Sequence, residues 1–225
     1  MRFSAMLALA GVGLLCSTAR AAGRTHDGFY LRLGAGFGYA SDRVEGNVPD
    51  PLAPLGGDIK GTVRGGSIAT EIAFGGTVAR GLVLGGGIWS VYITSPVAHD
   101  VMFPGVDINQ DIEFETSTFH VLAPFIDYYF DPHGGFHLQA ALGLGVLTAG
   151  NARLISNNAQ VSRDHTAVGL GGMFGLGYEW WVGDSWGLGF VARVTGGFLS
   201  GTDDNDIEWT HRLLAPAALF TATMN

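Results

Sequence analysis

The sequence predicts an all-β protein, an eight-stranded antiparallel up-and-down transmembrane β-barrel. Three observations support this prediction. Apolar residues alternate with small residues along several segments, and the connections between these segments are alternately long and short. After the N-terminal segment, no apolar run is long enough for a membrane-spanning helix. A closed barrel is the other backbone arrangement that can cross a bilayer.

The alternation is clearest in residues 168–194, which form two predicted strands joined by a short turn. One face of each strand is aromatic and aliphatic. The opposite face is mostly glycine and carries one charge, Glu179 in the first strand and Arg193 in the second. Successive side chains of a strand point to opposite faces of the sheet. A glycine-rich face is too small and too weakly charged for a water-exposed surface, so we expect it to line a narrow lumen while the apolar face meets lipid.

The composition agrees with a membrane barrel and argues against other classes of protein. Apolar residues make up 47% of the 225 residues and charged residues 14%, and Lys60 is the only lysine. The surface of a soluble acidic protein usually carries both acidic and basic residues. A chain with a single lysine does not fit that pattern. The formal net charge of −8 argues against nucleic acid as a partner.

The N-terminal segment has the three parts of a secretory signal peptide. Arg2 lies near the start, an apolar run covers residues 5–16, and Ala19 and Ala21 form the small-residue pattern of a cleavage site. The apolar run is too short to span a bilayer comfortably. Cleavage would remove Cys16, the only cysteine, so neither a disulfide nor a thiol nucleophile is expected. The predicted organisation is a signal peptide at 1–21, a short leader at 22–27 and a barrel at 28–225.

Eight strands follow from the alternation and from the turn residues between them. The predicted strands are residues 29–39, 67–75, 82–94, 116–130, 136–148, the two arms of 168–194, and 207–225. Polar segments rich in Pro, Gly and Asp separate them as long loops, at residues 41–63, 95–115, 149–165 and 196–206. Short turns make the other connections, at residues 76–81, 131–135 and 182–185. Outer-membrane barrels show this alternation, with short turns on the periplasmic side and long loops outside.

The sequence leaves the facing of three strands open. Strand 82–94 has apolar residues on both parities, so either a bulge near Gly85, Gly86 and Gly87 switches the face or the lumen is locally apolar. Strand 116–130 is also apolar on both parities, and strand 207–225 alternates poorly around Pro216.

Aromatic residues gather near the ends of the strands that meet the short turns. Amphipathic rings at one level are typical of a girdle at a membrane interface. We predict such a girdle from Phe29, Phe74, Tyr128, Tyr129, Phe136, Trp180, Trp181 and Trp186. A looser second set lies near the loops, at Tyr39, Trp89, Tyr92, Phe119 and Trp209.

The signal peptide, the eight strands and the turns GGTVARG and DPHGG resemble the small eight-stranded outer-membrane barrels related to the OmpA barrel domain and to OmpX. The resemblance covers residues 28–225 and is architectural, since no short motif identifies a subfamily. It implies insertion into the outer membrane of a Gram-negative bacterium by the barrel assembly machinery. It further implies membrane lipid and lipopolysaccharide as surroundings and an unidentified extracellular partner.

Four charged residues fall on the predicted inner face: Arg32, Glu71, Glu179 and Arg193. An eight-stranded barrel has an interior only wide enough for side chains, so opposite charges there are expected to pair. Because Glu179 and Arg193 lie on neighbouring strands, as do Arg32 and Glu71, we expect these two pairs. The pairs could form a gate or proton path; we favour a structural plug that closes the lumen.

The long loops are acidic, and the fourth loop offers a candidate weak cation site at Asp203, Asp204, Asp206 and Glu208. The spacing does not match a calcium-binding EF-hand, and we favour the interpretation that these carboxylates belong to solvated, self-repelling loops. We therefore expect neither a metal nor a cofactor.

No catalytic residues can be identified from the sequence. His120, His137 and His211 lie on strands, with Ser117 close to His120, but a nucleophile, a base and an orienting group are not all in place. The prediction is a non-enzymatic outer-membrane barrel with a closed lumen, whose role lies in its outer loops. Two alternatives stay open: an outer-membrane enzyme that modifies lipid, and a secreted lipocalin-like barrel that holds a small apolar ligand with its apolar faces inward.

Overall fold

The computed structural model describes residues 24–47, 58–103, 106–107, 112–154, 160–162, 165–203 and 207–225. The predicted signal peptide lies outside these residues. In chain order the strands are β1 (Phe29–Asn47), β2 (Asp58–Ala79), β3 (Leu82–Phe103), β4 (Val106–Asp107), β5 (Ile112–Phe114), β6 (Ser117–Tyr129), β7 (Phe136–Ala149), β8 (Ala152–Leu154), β9 (Gln160–Ser162), β10 (His165–Trp181), β11 (Trp186–Thr202) and β12 (Glu208–Met224).

Eight long strands form a closed antiparallel ring, in the order β1, β2, β3, β6, β7, β10, β11 and β12. Each pairs with the next along the chain, and β1 closes the ring by pairing with β12, from Leu31 opposite Met224 to Asn47 opposite Glu208. The short strands β4, β5, β8 and β9 extend the sheet on the loop side of β3. The predicted fold class, an eight-stranded up-and-down antiparallel barrel, is confirmed.

The strands are longer than predicted at the end of the barrel that carries the long loops, the loop end. Strand β1 continues to Asn47 and β2 begins at Asp58, within the segment expected to be a loop. Strand β3 likewise continues to Phe103. The prediction used apolar alternation, whereas the strands extend as far as backbone ladder pairing continues, whatever the side chains.

The apolar face of every long strand points away from the barrel axis. Phe37 is 78% exposed, and exposed large apolar side chains recur on each strand of the ring. In β3 the buried set is Trp89, Val91 and Ile93, so the lumen is locally apolar and no bulge is needed at the three glycines. In β6 the buried residues are odd-numbered, from Ser117 to Tyr129.

Pro124 and Pro216 lie inside strands, and each interrupts one ladder. The β1–β12 register runs to Gly38 opposite Ala217 and resumes at Ser41 opposite Leu214, leaving a gap beside Pro216. The β6–β7 ladder has a similar gap beside Pro124. Proline has no N–H to donate to a ladder, which accounts for the gaps. The odd-numbered residues of β12 face inward on both sides of Pro216, so the strand keeps one facing.

The short turns gather at the opposite end, the turn end, together with the N-terminal segment before β1. The turn between β2 and β3 requires Gly81, which has φ +71°, and a side chain there would collide with the carbonyl oxygen of Tyr129. In the turn between β6 and β7, the backbone N–H of His133 bonds to Asp131 and lowers the pKa of that carboxyl. Among the described residues, no helix is long and apolar enough to cross a bilayer.

Candidate functional site

A cluster of buried charges fills the turn end of the lumen, centred on Arg32, whose side chain is fully buried. Its guanidinium forms ion pairs with Asp127 (Nη1–Oδ2 2.9 Å) and with Glu179 (Nη2–Oε1 2.7 Å). The three strands that supply these residues are β1, β6 and β10, so the cluster ties together distant parts of the ring. Ion pairs of this geometry compensate the cost of removing the charges from water.

A shell of polar side chains completes the hydrogen bonding of the two carboxylates. Asp127 accepts hydrogen bonds from the Tyr30 hydroxyl (2.8 Å) and from Nδ1 of His137 (2.8 Å). Glu179 accepts hydrogen bonds from the hydroxyls of Tyr129 (3.2 Å) and Thr223. The cluster is therefore a connected network in which each charge has several partners.

The position of Tyr129 corrects the predicted girdle. Its side chain is 1% exposed, lies in the lumen, and donates to Glu179 while accepting from Arg32 (2.8 Å). Its position near a short turn predicts a girdle residue, but apolar residues on both parities of β6 leave the facing of this strand open in the sequence. Trp181 has partners within the protein at the turn end: its indole N–H donates to the carbonyl of His133, and its ring contacts that of His26. The other six predicted members are exposed on the outer face: Phe29, Phe74, Tyr128, Phe136, Trp180 and Trp186.

His26 closes the turn end beneath this cluster. Its ring stacks on Tyr129 with the centroids 3.5 Å apart, and its Nε2 lies 3.1 Å from the carbonyl oxygen of Gly134. Its backbone N–H bonds to the carbonyl of Pro132 (3.0 Å). Burial lowers the pKa of His26 below its ordinary value of 6.5, although the side chain of Asn225 acts in the opposite direction. The segment before β1 is thus held against the barrel by a histidine that favours the neutral form.

A second buried ion pair lies further along the strands toward the loop end. Arg193 on β11 pairs with Glu71 on β2 (Nη1–Oε2 2.9 Å) and donates to the carbonyl of Thr70 (3.3 Å). All four predicted lumen charges are therefore inside the barrel, but the predicted pairing is wrong: Arg32 pairs with Glu179 and Arg193 with Glu71. Long arginine side chains reach across the narrow lumen, and glycines such as Gly34 leave room for Glu71 beside the neighbouring strand.

An apolar layer separates these ion pairs from the loop end. Its buried side chains come from most of the strands and include Trp89, Phe119, Val121, Leu147, Leu199 and Leu213. Trp89 and Phe119 belonged to the second aromatic set predicted near the loops, and both face inward instead. The lumen is therefore filled in turn by charged, apolar and again polar side chains.

The polar group at the loop end consists of Asp42, His165 and His211. Nδ1 of His211 lies 2.7 Å from the Asp42 carboxylate, and its Nε2 lies 2.9 Å from Nε2 of His165. The His165 ring stacks near Trp209. This arrangement can relay a proton between two imidazoles. Within the described ranges, however, no group of three or more His, Cys, Asp and Glu side chains is arranged to hold a metal ion.

His120 was considered in the sequence together with His137 and His211. Unlike those two residues, it faces the outside of the barrel. Its Nδ1 lies 2.8 Å from the hydroxyl of Ser90 on β3, and the Tyr92 ring packs against it edge-on. Ser117 faces inward and instead bonds to the backbone of Glu115 and Gly150. The Ser90–His120 pair has the elements of a nucleophile and a base. No carboxylate in the described part of the chain bonds to the imidazole.

The candidate cation site in the fourth loop is only partly described, since Asp204 and Asp206 lie outside the described residues. Asp203 accepts hydrogen bonds from the backbone N–H of Ile207 (3.0 Å) and from the indole of Trp209 (3.1 Å). Glu208 is exposed at the start of β12. The Asp203 carboxylate thus has a structural role at the base of the loop.

Sequence reasoning missed Asp127, Tyr30 and Asp42, although Tyr30 and Asp42 share the parity of Arg32 on β1. A charge on the inner parity of a predicted barrel strand was the available signal, and it applied to Asp42 as well as to Arg32. Asp127 was hidden because both faces of β6 are apolar.

Comparisons with known proteins show the fold of the chain. Neither a protein-family profile nor a curated protein sequence matches it. The outer-membrane protein OprG from Pseudomonas aeruginosa is similar in structure, with TM-score 0.50 and 14% identity over 88% of this chain and 98% of OprG. Ail of Yersinia pestis also aligns, with TM-score 0.39 and 12% identity over 87% of this chain and 99% of Ail. Neisserial surface protein A aligns with TM-score 0.39 and 15% identity over 87% of this chain and 96% of that protein. The protein has the eight-stranded antiparallel β-barrel fold of small outer-membrane proteins.

Proposed function

We propose that the protein is an integral outer-membrane β-barrel of a Gram-negative bacterium, with a closed lumen and no enzymatic activity, whose role lies in its extracellular loops. The observation that supports this most is the inverted distribution of side chains. Phenylalanines, leucines and tryptophans cover the outside, while the long strands other than β3 bury charged or polar residues inside. In water such a surface would aggregate, whereas in lipid it is the expected exterior.

Two features support a closed lumen. The Arg32 cluster and the Arg193–Glu71 pair cross the interior from opposite walls, and the apolar layer lies between them and the loop end. The narrow interior of an eight-stranded ring gives side chains enough reach to do this. The same inward packing argues against the lipocalin-like alternative, because the apolar faces would then have to line a cavity.

The loops are the remaining candidates for a role. The connections at the turn end are brief, for example Arg80 and Gly81 between β2 and β3. At the loop end the strands continue well past the exposed apolar residues of the outer face, which form the apolar belt. Exposed loops on a rigid scaffold commonly carry binding function. The proposal therefore places recognition on the loop side, with an unidentified extracellular partner.

Gel mobility, cell fractionation and cysteine labelling test the membrane assignment and the topology. The folded barrel should migrate differently on SDS gels before and after boiling, and it should fractionate with the outer membrane. Thr202→Cys, at the loop end, should react on intact cells with a membrane-impermeant maleimide, while Asp184→Cys, in a turn, should react only after lysis. Recovery in the soluble fraction without a gel shift, or labelling of the turn site alone, would contradict the proposal.

Conductance tests the closed lumen separately. The purified protein in a planar lipid bilayer should pass no steady ionic current, and Arg193→Ala, which shortens a side chain that crosses the interior, should raise the frequency of transient openings. A stable conductance in the unmodified protein would refute closure without affecting the membrane assignment.

The alternative of a lipid-modifying enzyme depends on the Ser90–His120 pair. An activated serine hydroxyl reacts with fluorophosphonate probes, so an enzyme of this type would be labelled at Ser90 and Ser90→Ala would abolish the labelling. Our proposal expects no labelling of the folded protein in detergent. Stoichiometric labelling at Ser90 would favour the enzyme.

A further inference from the structure

The basic residues of the barrel are unevenly distributed. Arg32 and Arg193 are inside the lumen, and Arg24 and Arg80 are exposed at the turn end. At the loop end, three exposed arginines lie on three adjacent strands, namely Arg64 on β2, Arg43 on β1 and Arg212 on β12. We call these three residues the rim arginines.

The rim arginines point outward from the same small area. Asp42 and Leu213 are buried in the lumen, so their neighbours Arg43 and Arg212 face out, and these two arginines lie directly opposite each other in the β1–β12 ladder. Arg64 is opposite Ser41, which places it diagonally from Arg43. Directly opposite residues have Cβ atoms about 5 Å apart and diagonal ones about 7–8 Å.

These three charges have no ion-pair partner in the described part of the chain. None of the three arginines forms an ion pair or a hydrogen bond with a described side chain, unlike Arg32 and Arg193. Glu45, which is half-buried, is diagonal from Arg212 but lies directly opposite Lys60, and the exposed Glu208 is further toward the loops. Like charges directly opposite in a sheet destabilise it, so folding alone gives no reason for Arg43 opposite Arg212.

The rim arginines lie at the loop-side edge of the exposed apolar residues, and Arg212 is directly opposite the exposed Phe198 of β11. On β12, Arg212 lies on the same face as the exposed Leu214 and two residues nearer the loop end. On β1, Arg43 lies four residues nearer the loop end than the exposed Tyr39. With the strand rise and tilt usual in membrane barrels, these steps place the two arginines about 5–10 Å beyond the last exposed apolar side chains of their own strands. This is the depth of lipid head groups rather than of acyl chains.

We propose that the rim arginines bind the phosphate groups of lipopolysaccharide in the outer leaflet. The inference rests on the proposed outer-membrane location and adds a specific partner to it. Arginine pairs with phosphate through two parallel charge-assisted hydrogen bonds, and two guanidinium groups on opposing residues can hold one phosphate between them. Basic clusters next to a membrane surface attract anionic head groups in the same way. A bound phosphate also removes the repulsion between Arg43 and Arg212.

The test compares two variants that each lose two positive charges. Arg43→Gln with Arg212→Gln removes the opposing pair, and Arg24→Gln with Arg80→Gln removes two exposed arginines at the other end. Binding of fluorescent rough-type lipopolysaccharide to the folded barrel in detergent is measured by anisotropy. We expect the rim variant to bind about tenfold more weakly, equivalent to about 1.4 kcal/mol, and the turn-end variant to bind like the unmodified protein.

Further arms identify the ligand. Dephosphorylated lipopolysaccharide should bind the unmodified protein as weakly as the rim variant binds the phosphorylated form, and inorganic phosphate at equal phosphate concentration should not compete. Equal loss in both variants, no effect of dephosphorylation, or displacement by free phosphate would overturn the proposal. Displacement by a soluble sulfated polysaccharide, with dephosphorylation having no effect, would indicate a glycan partner instead.

Folding is checked by the gel shift on boiling for every variant, so loss of binding is read only from folded protein. The membrane assignment is tested by fractionation, which is independent of this assay. A protein that fractionates with the outer membrane but whose rim variant keeps full affinity would refute the lipopolysaccharide site alone.

Discussion

The lumen and the loop-end rim use the same residue type in opposite ways. Arg32 and Arg193 are buried, and each has at least one carboxylate within 3 Å. Arg43, Arg64 and Arg212 are exposed, and no ion pair to a described side chain accompanies any of them. A buried charge requires its partner within the protein, because transfer from water is costly, whereas an exposed charge can take its partner from the surroundings.

This difference separates charges that hold the barrel together from charges available to a ligand. Removing a lumen arginine leaves buried carboxylates without their cation, and the cost falls on folding. Removing a rim arginine leaves nothing stranded, and if the proposed lipopolysaccharide site exists, the cost falls on binding.

Arg32→Met should have the largest effect on stability, because it leaves both Asp127 and Glu179 without their cation. We expect the free energy of unfolding to fall by about 3–5 kcal/mol. Urea titration of the barrel refolded into lipid vesicles, followed by tryptophan fluorescence, measures this. Arg43→Met is the matched control on the same strand. Equal losses in the two variants would contradict the distinction between lumen and rim.

Arg193→Met should have a smaller effect, about 3 kcal/mol, because one carboxylate rather than two loses its partner. Replacing both partners, with Arg193→Met and Glu71→Leu together, should recover most of the loss, since no buried charge then remains. The same urea titration provides the values for a double-mutant cycle. Additive losses in the double variant would show that the two side chains do not act as a pair.

His26 connects the lumen network to the turn end in a pH-dependent way. Because its pKa is lowered in the folded state, the unfolded or undocked segment binds protons more strongly. Docking of residues 24–28 should be complete above the ordinary pKa of 6.5 and weaken as the pH falls through the lowered value. Hydrogen exchange of these amides against pH measures it. His26→Gln should remove the dependence, and an unchanged profile in that variant would assign it to another group.

Arg43→Gln and Arg212→Gln should have the smallest effect on stability. Exposed substitutions usually change the free energy of unfolding by less than about 0.5 kcal/mol, and relief of like-charge repulsion should make the change neutral or slightly stabilising. The urea titration in vesicles without lipopolysaccharide measures this. A loss as large as that of Arg193→Met would mean that the rim arginines have structural partners.

Much of the site could be predicted and part of it could not. Strand parity placed Arg32, Glu71, Glu179 and Arg193 on the inner face, because period-two alternation decides the side of a sheet. The pairing was wrong because it was inferred from strand neighbours. In a narrow ring the opposite wall is as near as the next strand, so Arg32 reaches Glu179 and Asp127 across the lumen.

The amino-acid sequence by itself determined the fold class, the number of long strands and the facing of those with clean alternation. These properties depend on local patterns that each strand carries without reference to the others. Only the tertiary structure decided the facing of β3, β6 and β12, the ion-pair partners and the proximity of the rim arginines. These depend on barrel closure, which joins β1 to β12 from opposite ends of the chain and brings Arg43 opposite Arg212.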